Sequence, residues 1–420
     1  MTSIDPRRAR EFAQQVVVKL RASKHEALWA GGCVRDELLG KQPKDYDVAT
    51  DATPAQVREV FGNRRTLPIG AAFGVITVLG PREAGQVEVA TFRRDATYSD
   101  GRHPDSVAFS DAREDAKRRD FTINGLFYDP LSGEVIDYVG GQEDLKRQVL
   151  RAIGNPDERL AEDKLRMLRA VRFATTLGFD IESETMLAIQ RYSKELRVVS
   201  VERITAELRR LLQHSNRRHG LELLRESCLL QEVLPELPLQ DEVWTQTLET
   251  LDLLDQPSVA VAIAVLVRSV QSADESNRSA EAICRRWKLS NEEREGVLLC
   301  LNKETTIRTA RTVAWPELQR VLIVSRIDEL MSYCRAIAQI VDGTDDAIQF
   351  CRQTLARPQA EWNPPPLISG DDLMELSIPA GSSYRKLLTA ARDAQLLGEI
   401  TDRGAALTYV LKLWEDGIDG

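Results

Sequence analysis

Hydrophobic and polar positions follow two different rhythms along the 420-residue chain. In the first third, short apolar and β-branched runs predict strands set between short helices. Ala27–Gly32 reads as a buried strand and Val34–Leu39 as the start of a helix. Thr53-Pro54 predicts an N-cap and a first-turn proline for a helix running to Phe61. Phe73–Leu79 and Gln86–Phe92, joined through Pro81–Gly85, predict a hairpin. From Asn155 the pattern turns helical almost to the end. Asn155 suits an N-cap, Pro156 the first helical position, and Asp157 and Glu158 the positive helix end. Leu160, Leu165, Leu168, Val171 and Phe173 supply the apolar stripe of that segment. Proline-rich Ala356–Pro366 predicts a linker before a last helical stretch. The pattern predicts an α/β head on a long α-helical body.

Composition narrows the class. Hydrophobic residues make up 43% and charged residues 29%, as in a soluble globular protein. Against 65 Asp and Glu stand 56 Lys and Arg, a net charge of −9, so nothing overall announces a nucleic-acid binder. A local basic face remains open, because it is local charge that meets phosphates. Residues 151–230 carry 15 Lys and Arg against 12 Asp and Glu, basic within an acidic chain; helical charge pairs explain most of these equally well. No apolar run approaches the ~20 residues of a membrane span, and no signal-peptide core opens the chain, so no membrane partner is expected. Six cysteines without a C-x-x-C pair predict reduced thiols and a cytoplasmic location.

The sharpest chemistry lies in Asp45-Tyr46-Asp47, which begins thirteen residues after Gly32 of the turn Gly31-Gly32-Cys33-Val34-Arg35-Asp36. If Asp45 opens a strand, Asp45 and Asp47 project from one face and offer two hard oxygen ligands suited to Mg²⁺. A bare D-x-D equally fits a solvated turn; the glycine pair and Arg35 weigh against that. A second segment, Asp115 to Asn124, would gather cations on a helix with Asp120 close by. Such cations bind phosphate and such a carboxylate accepts from ribose, although an exposed helix face reads the same way. In the third, Asp163, Arg166, Arg169 and Arg172 recur at steps of three. An Asp–Arg pair at i,i+3 presents an acceptor beside donors, which matches the pairing edges of cytosine and adenine and rejects guanine and uracil. An ordinary i,i+3 salt bridge is the plainer alternative. The polar segment Arg93–Asp105, holding Arg94, Asp95, Arg102 and His103, reads as an exposed loop, and His103 has no neighbour at zinc-ligand spacing.

Together these segments resemble the class II tRNA nucleotidyltransferases, the CCA-adding enzymes, and the related bacterial poly(A) polymerases. GGCVRDELLG…DYDVAT, TFRRDATYSDGRHPDSVAF, DAKRRDFTINGLFYDP, NPDERLAEDKLRMLRAVRFATTLGFDIE and VERITAELRRLL stand in family order. The resemblance implies an α+β fold, with a small polymerase-β-like, mixed-sheet head over residues 1–150 followed by an elongated all-α neck over 151–230 that selects the nucleotide, a body over 231–355 and a tRNA-holding tail over 356–420. It implies that Asp45 and Asp47 are catalytic and hold two Mg²⁺ ions. Gly32 and Arg35 would contact the triphosphate, and Arg119 and Asp120 phosphate and ribose. Asp163 and Arg166 would pair with incoming CTP or ATP, supported by Arg169 and Arg172. The loop with Arg94, Asp95, Arg102 and His103 would accompany the switch from C to A addition. The implied activity is addition of C, C and A to the 3′ end of tRNA, with no zinc and no DNA partner. A poly(A) or A-only enzyme of the same family, a non-catalytic RNA-binding relative, and a small-molecule nucleotidyltransferase are the alternatives. Four histidines without a His-Asp pair leave no place for an appended phosphohydrolase.

Overall fold

The structure, a computed structural model, describes residues 4–95, 107–237, 240–272 and 276–417. The chain forms two compact units, Met1–Glu236 and Leu237–Gly420. The first opens with helix α1 (Pro6–Ala22), whose N-cap Asp5 accepts from the amides of Arg7 and Arg8. Ala13, Val16, Val17 and Leu20 bury one face of it at helical spacing. Strand β1 (Ala27–Ala30), helix α2 (Gly32–Leu38), β2 (Asp47–Thr50), α3 (Pro54–Phe61), β3 (Thr66–Leu67), β4 (Val75–Leu79) and β5 (Gln86–Thr91) follow. Next come β6 (Arg93–Asp95), β7 (Val107–Phe109), α4 (Ala112–Lys117), β8 (Leu126–Asp129) and β9 (Glu134–Asp137).

Seven strands form one sheet in the order β3-β4-β5-β2-β1-β8-β9. Only β2 and β5 pair in parallel, with Asp47 opposite Glu88, so the sheet is mixed as expected. Alternation along β1 sends Leu28 and Ala30 to one face, where they meet Ala49, Phe92, Phe127 and the α4 residues Ala112 and Ala116. Trp29 points the other way, fully buried, with its ring 4.8 Å from that of Tyr46 and 5.5 Å from that of Tyr128. Truncating it to alanine would cost about 3–5 kcal/mol. This packing anchors the segment that carries Asp45 and Asp47.

The predicted cap of α3 is present as a reciprocal box between Thr53 and Gln56. The hairpin between β4 and β5 closes with the Gly80 amide donating to the Gly85 carbonyl at 2.9 Å. Two expectations need correcting. The strand begins at Asp47, so Asp45 lies in the bend before it rather than opening it. The helix capped by Asn155 also stops early: after α5 (Gly141–Arg147) and β10 (Val149–Leu150), α6 covers Pro156–Glu162 and α7 covers Leu165–Leu177. Asp163 between them is extended, at φ −144° and ψ 107°. Its Oδ1 accepts from the Leu165 amide at 3.0 Å, so a side chain takes over an amide that an unbroken helix would have satisfied. Strand β11 (Asp180–Ile181) pairs in parallel with β10, and helices α8 (Ser183–Tyr192) and α9 (Val201–Leu212) follow.

The second unit is helical. Buried Glu304 accepts from Arg268, Arg308 and the Tyr333 hydroxyl, tying together helices Val259–Arg268, Asn291–Arg308 and Ile327–Val341. The expected linker contains one helical turn, Gln359–Trp362. Beyond it Ile368, Leu373, Leu387, Ala406 and Val410 form a separate apolar cluster. Among the described residues no helix is long and apolar enough to cross a membrane.

Candidate active site

A cavity of about 610 Å³ opens in the first unit. Gly32, Arg35, Asp45, Asp47 and Arg119 line it, together with Asp120, Asp163, Arg166, Arg169 and Arg172. Residues spread over 140 positions of sequence thus meet at one place. Arg118, Asn124, Phe173 and Arg210 line it as well; the sequence placed Arg118 and Asn124 in the cationic segment and Phe173 in an apolar stripe, but assigned none of the four to the site. Seven arginines face four aspartates around this space, a balance that favours an anionic guest.

Asp45 is exposed, whereas Asp47 is half-buried at the first position of β2. Burial first, then the charges of Asp45 and of Glu88 on the neighbouring strand, push the Asp47 carboxyl up to about 6, with Arg119 pulling the other way. Glu88 is the carboxylate that the sequence reading passed over; the alternation of Gln86–Thr91 is its only signal. A cation between Asp45 and Asp47 would relieve this crowding. Among the described residues no group of three or more metal-ligating side chains stands close enough to hold an ion. Two hard carboxylates that leave the other positions to water and substrate oxygens suit Mg²⁺.

One wall of the cavity begins with the glycine pair. Gly31 has φ +75°, and a Cβ there would stand 2.8 Å from Arg119 Nη1. Glycine keeps that backbone open and lets the guanidinium lie against it. Arg119 is aimed by two bonds to buried Asp115 Oδ2, from Nε at 3.1 Å and Nη2 at 3.0 Å. Arg35 donates from Nη1 to Asn124 Oδ1 at 2.6 Å and from Nε and Nη2 to Asp36. The ring of Phe173 gathers three guanidinium groups, those of Arg172 at 3.6 Å and of Arg35 and Arg169 at 5.2 Å from its centroid. Arg172 is held by buried Glu207. Burial, aided by the charges of Arg169 and Arg210, keeps its guanidinium below the usual value in spite of Glu207.

Asp120 departs from its expected part. Its Oδ1 accepts from the Phe121 amide at 2.9 Å and Asn124 Nδ2 at 3.0 Å, and its Oδ2 from Arg169 Nε at 2.9 Å and Nη2 at 2.6 Å. All four acceptor positions of the carboxylate are filled from within the chain, leaving none for a ribose hydroxyl. Burial alone would raise this group; Arg169 and Asn124 override burial and hold it at about 2. Asp120 therefore positions Arg169.

Asp163 and Arg166 do not form the direct i,i+3 ion pair that a continuous helix would give, because the helix breaks at Asp163. Asp163 is gripped instead by Arg203 of α9, Nη1 to Oδ1 at 3.3 Å and Nη2 to Oδ2 at 2.7 Å. Arg166 donates from Nη1 to Glu162 and to the Arg159 carbonyl, and from Nη2 to the Arg118 carbonyl at 3.4 Å. Of four acceptor positions on Asp163, three are used, by Arg203 twice and the Leu165 amide once. Of five N–H donors on Arg166, three are used. Among the described residues, one acceptor and two donors therefore stay open at the cavity.

The loop residues fare differently. Arg94 and Asp95 belong to β6, paired in antiparallel register with Ala108 and Val107, and Arg94 does not line the cavity. Arg102 and His103 lie outside the described residues.

The family model described as "Poly A polymerase head domain" matches residues 27–151. That described as "Probable RNA and SrmB- binding site of polymerase A" matches residues 178–240. The CCA-adding enzyme of Lactococcus lactis subsp. lactis is 36% identical over 411 residues, covering 96% of this chain and 97% of that one. The chain belongs to the CCA-adding enzyme family. The CCA-adding enzyme of Enterococcus faecalis is 41% identical over 281 residues, 67% of each chain. The crystal structure of the Bacillus stearothermophilus CCA-adding enzyme in complex with CTP superposes with a TM-score of 0.76 at 27% identity, covering 97% of this chain and 98% of that one. Membership in the CCA-adding family makes the chain a nucleotidyltransferase, with a polymerase-β-like head ahead of its helical body.

Proposed function

We propose that this chain adds C, C and A in turn to the 3′ end of tRNA, using CTP and ATP and taking no instruction from a nucleic-acid template. One observation carries the reading. Asp163 keeps one open acceptor, and Arg166 two open donors, on the cavity that Asp45 and Asp47 also line. Cytosine and adenine each offer an exocyclic amine beside a ring-nitrogen acceptor, complementary to that pair; uracil and guanine present the reverse pattern.

Arg35 and Arg119, with the bare backbone at Gly31 and Gly32, bind the triphosphate. Arg169 and Arg172, stacked on Phe173, add positive charge to that wall. Asp45 and Asp47 would hold Mg²⁺, which supplies acidification of the attacking hydroxyl and neutralises charge on the leaving pyrophosphate. With both substrates fixed, the RNA 3′-oxygen forms a bond to the α-phosphorus as the bond to the β-phosphate oxygen breaks, and pyrophosphate departs. The chain contributes positioning and charge, which is the larger part of such a reaction. In this reading residues 1–150 carry the chemistry, 151–230 the choice of nucleotide, and 231–355 and 356–420 the hold on tRNA. The loop of Arg94, Asp95, Arg102 and His103 takes part in the switch from C to A. Six unpaired cysteines suit a reducing cytoplasm.

The test uses three tRNA transcripts, ending before CCA, after the first C and after CC, each with CTP or ATP alone. Stepwise addition of C to the first two and of A to the third is expected. Growth from the third alone, or long A tracts, would replace the reading with an A-adding or poly(A) enzyme.

A further inference from the structure

Seven arginines line the cavity, and six of them are committed within the chain. Arg35 is tied to Asp36 and Asn124, Arg118 and Arg119 to Asp115, Arg166 to Glu162, Arg169 to Asp120, and Arg172 to Glu207. Arg210 stands apart. Among the described residues no hydrogen-bond acceptor or carboxylate partners it, and it is exposed at the cavity. Its place follows from helix periodicity. Glu207, three residues earlier on α9, is buried and turned onto Arg172, so the same side of the helix one turn on brings Arg210 to the rim. Its charge is felt at Arg172, which fixes it as part of this electrostatic group.

A guanidinium with five free donors beside a net-positive cavity has a repulsive surrounding and nothing to offset it inside the chain. We infer that Arg210 is a further substrate-binding residue, supplying the uncommitted charge that holds a phosphate group at the mouth of the cavity. The phosphate comes from the nucleotide or from the 3′-terminal stretch of the RNA acceptor, and both sources present the same oxyanion to the fork. The inference rests on the proposed function, since that reading puts both phosphates at this site.

The experiment uses the full chain with Arg210→Gln, which preserves helix propensity and length, and Arg210→Lys, which preserves charge. CTP binding without RNA, and binding of a tRNA transcript lacking CCA over a series of KCl concentrations, are measured for each. Arg210→Gln is expected to weaken one of the two by about tenfold, while Arg210→Lys stays within about threefold. If the RNA arm moves, the slope of log affinity against log salt falls by ~0.7, as loss of one phosphate contact to a single strand demands. Binding of both ligands within twofold of wild type in Arg210→Gln overturns the inference. A wild-type chain that extends no tRNA overturns the proposed function, whereas an active wild type with an indifferent Arg210→Gln overturns this inference alone.

Discussion

Arg203 holds Asp163 with two hydrogen bonds, at 3.3 and 2.7 Å, from a helix that begins 38 positions further along the chain. This grip leaves Asp163 one open acceptor and fixes where it points. Arg203→Ala is expected to let the carboxylate turn, and the preference for CTP over UTP in kcat/KM should fall by about tenfold. Competition between the two nucleotides on a tRNA transcript lacking CCA measures it. Unchanged preference would mean that Asp163 is oriented by some other contact.

Asp120 and Arg169 make a buried pair whose loss is felt in stability as well as in binding. Asp120→Asn leaves the Arg169 guanidinium without its counter-charge, at a cost of about 3–5 kcal/mol. The folded carboxyl sits at about 2, below its ordinary 3.8, so its charged form favours the folded state. That contribution, on the order of 2 kcal/mol, is complete above about pH 4 and is lost as the pH falls towards 2. Denaturant midpoints at pH 7 and pH 3 should show a gap between wild type and Asp120→Asn that narrows at the lower pH. A gap of equal size at both would contradict the assigned charge state.

Gly31 is placed where no side chain is tolerated. Gly31→Ala forces an L-residue to φ +75° and sets a methyl 2.8 Å from Arg119 Nη1. The backbone strain is about 1–3 kcal/mol, and Arg119 must move off this wall of the cavity. A rise of about tenfold in KM for CTP, together with a lower thermal midpoint, is the expected pair of results. A lower midpoint with KM unchanged would mean that Arg119 does not contact the nucleotide.

Much of this was readable from residue order. The glycine pair and Arg35 open helix α2, and Asp45 and Asp47 lie at the start of β2, short local segments whose chemistry is written in the residues themselves. What escaped was set by tertiary contact. Glu162, Asp163, Lys164 and Leu165 all tolerate a helix, so periodicity carried the helix straight through; Arg203, forty residues on, takes Asp163 out of it. Asp120 could not be told from a free carboxylate without seeing Arg169 and Asn124 fill its lone pairs. Arg210 and Phe173 sit in helices where an exposed arginine and an apolar stripe are the ordinary finding, so only the folded cavity distinguishes them.

The central claim is that Asp45 and Asp47 perform the transfer while the chain itself chooses the nucleotide. The direct measurement incubates a tRNA transcript lacking CCA with all four nucleoside triphosphates at equal concentration and Mg²⁺, then sequences the new 3′ ends. Wild type should add C, C and A and stop; Asp47→Asn should add nothing, while its affinity for the same tRNA stays within about twofold. Runs of A, indiscriminate incorporation by wild type, or substantial addition by Asp47→Asn would contradict the account.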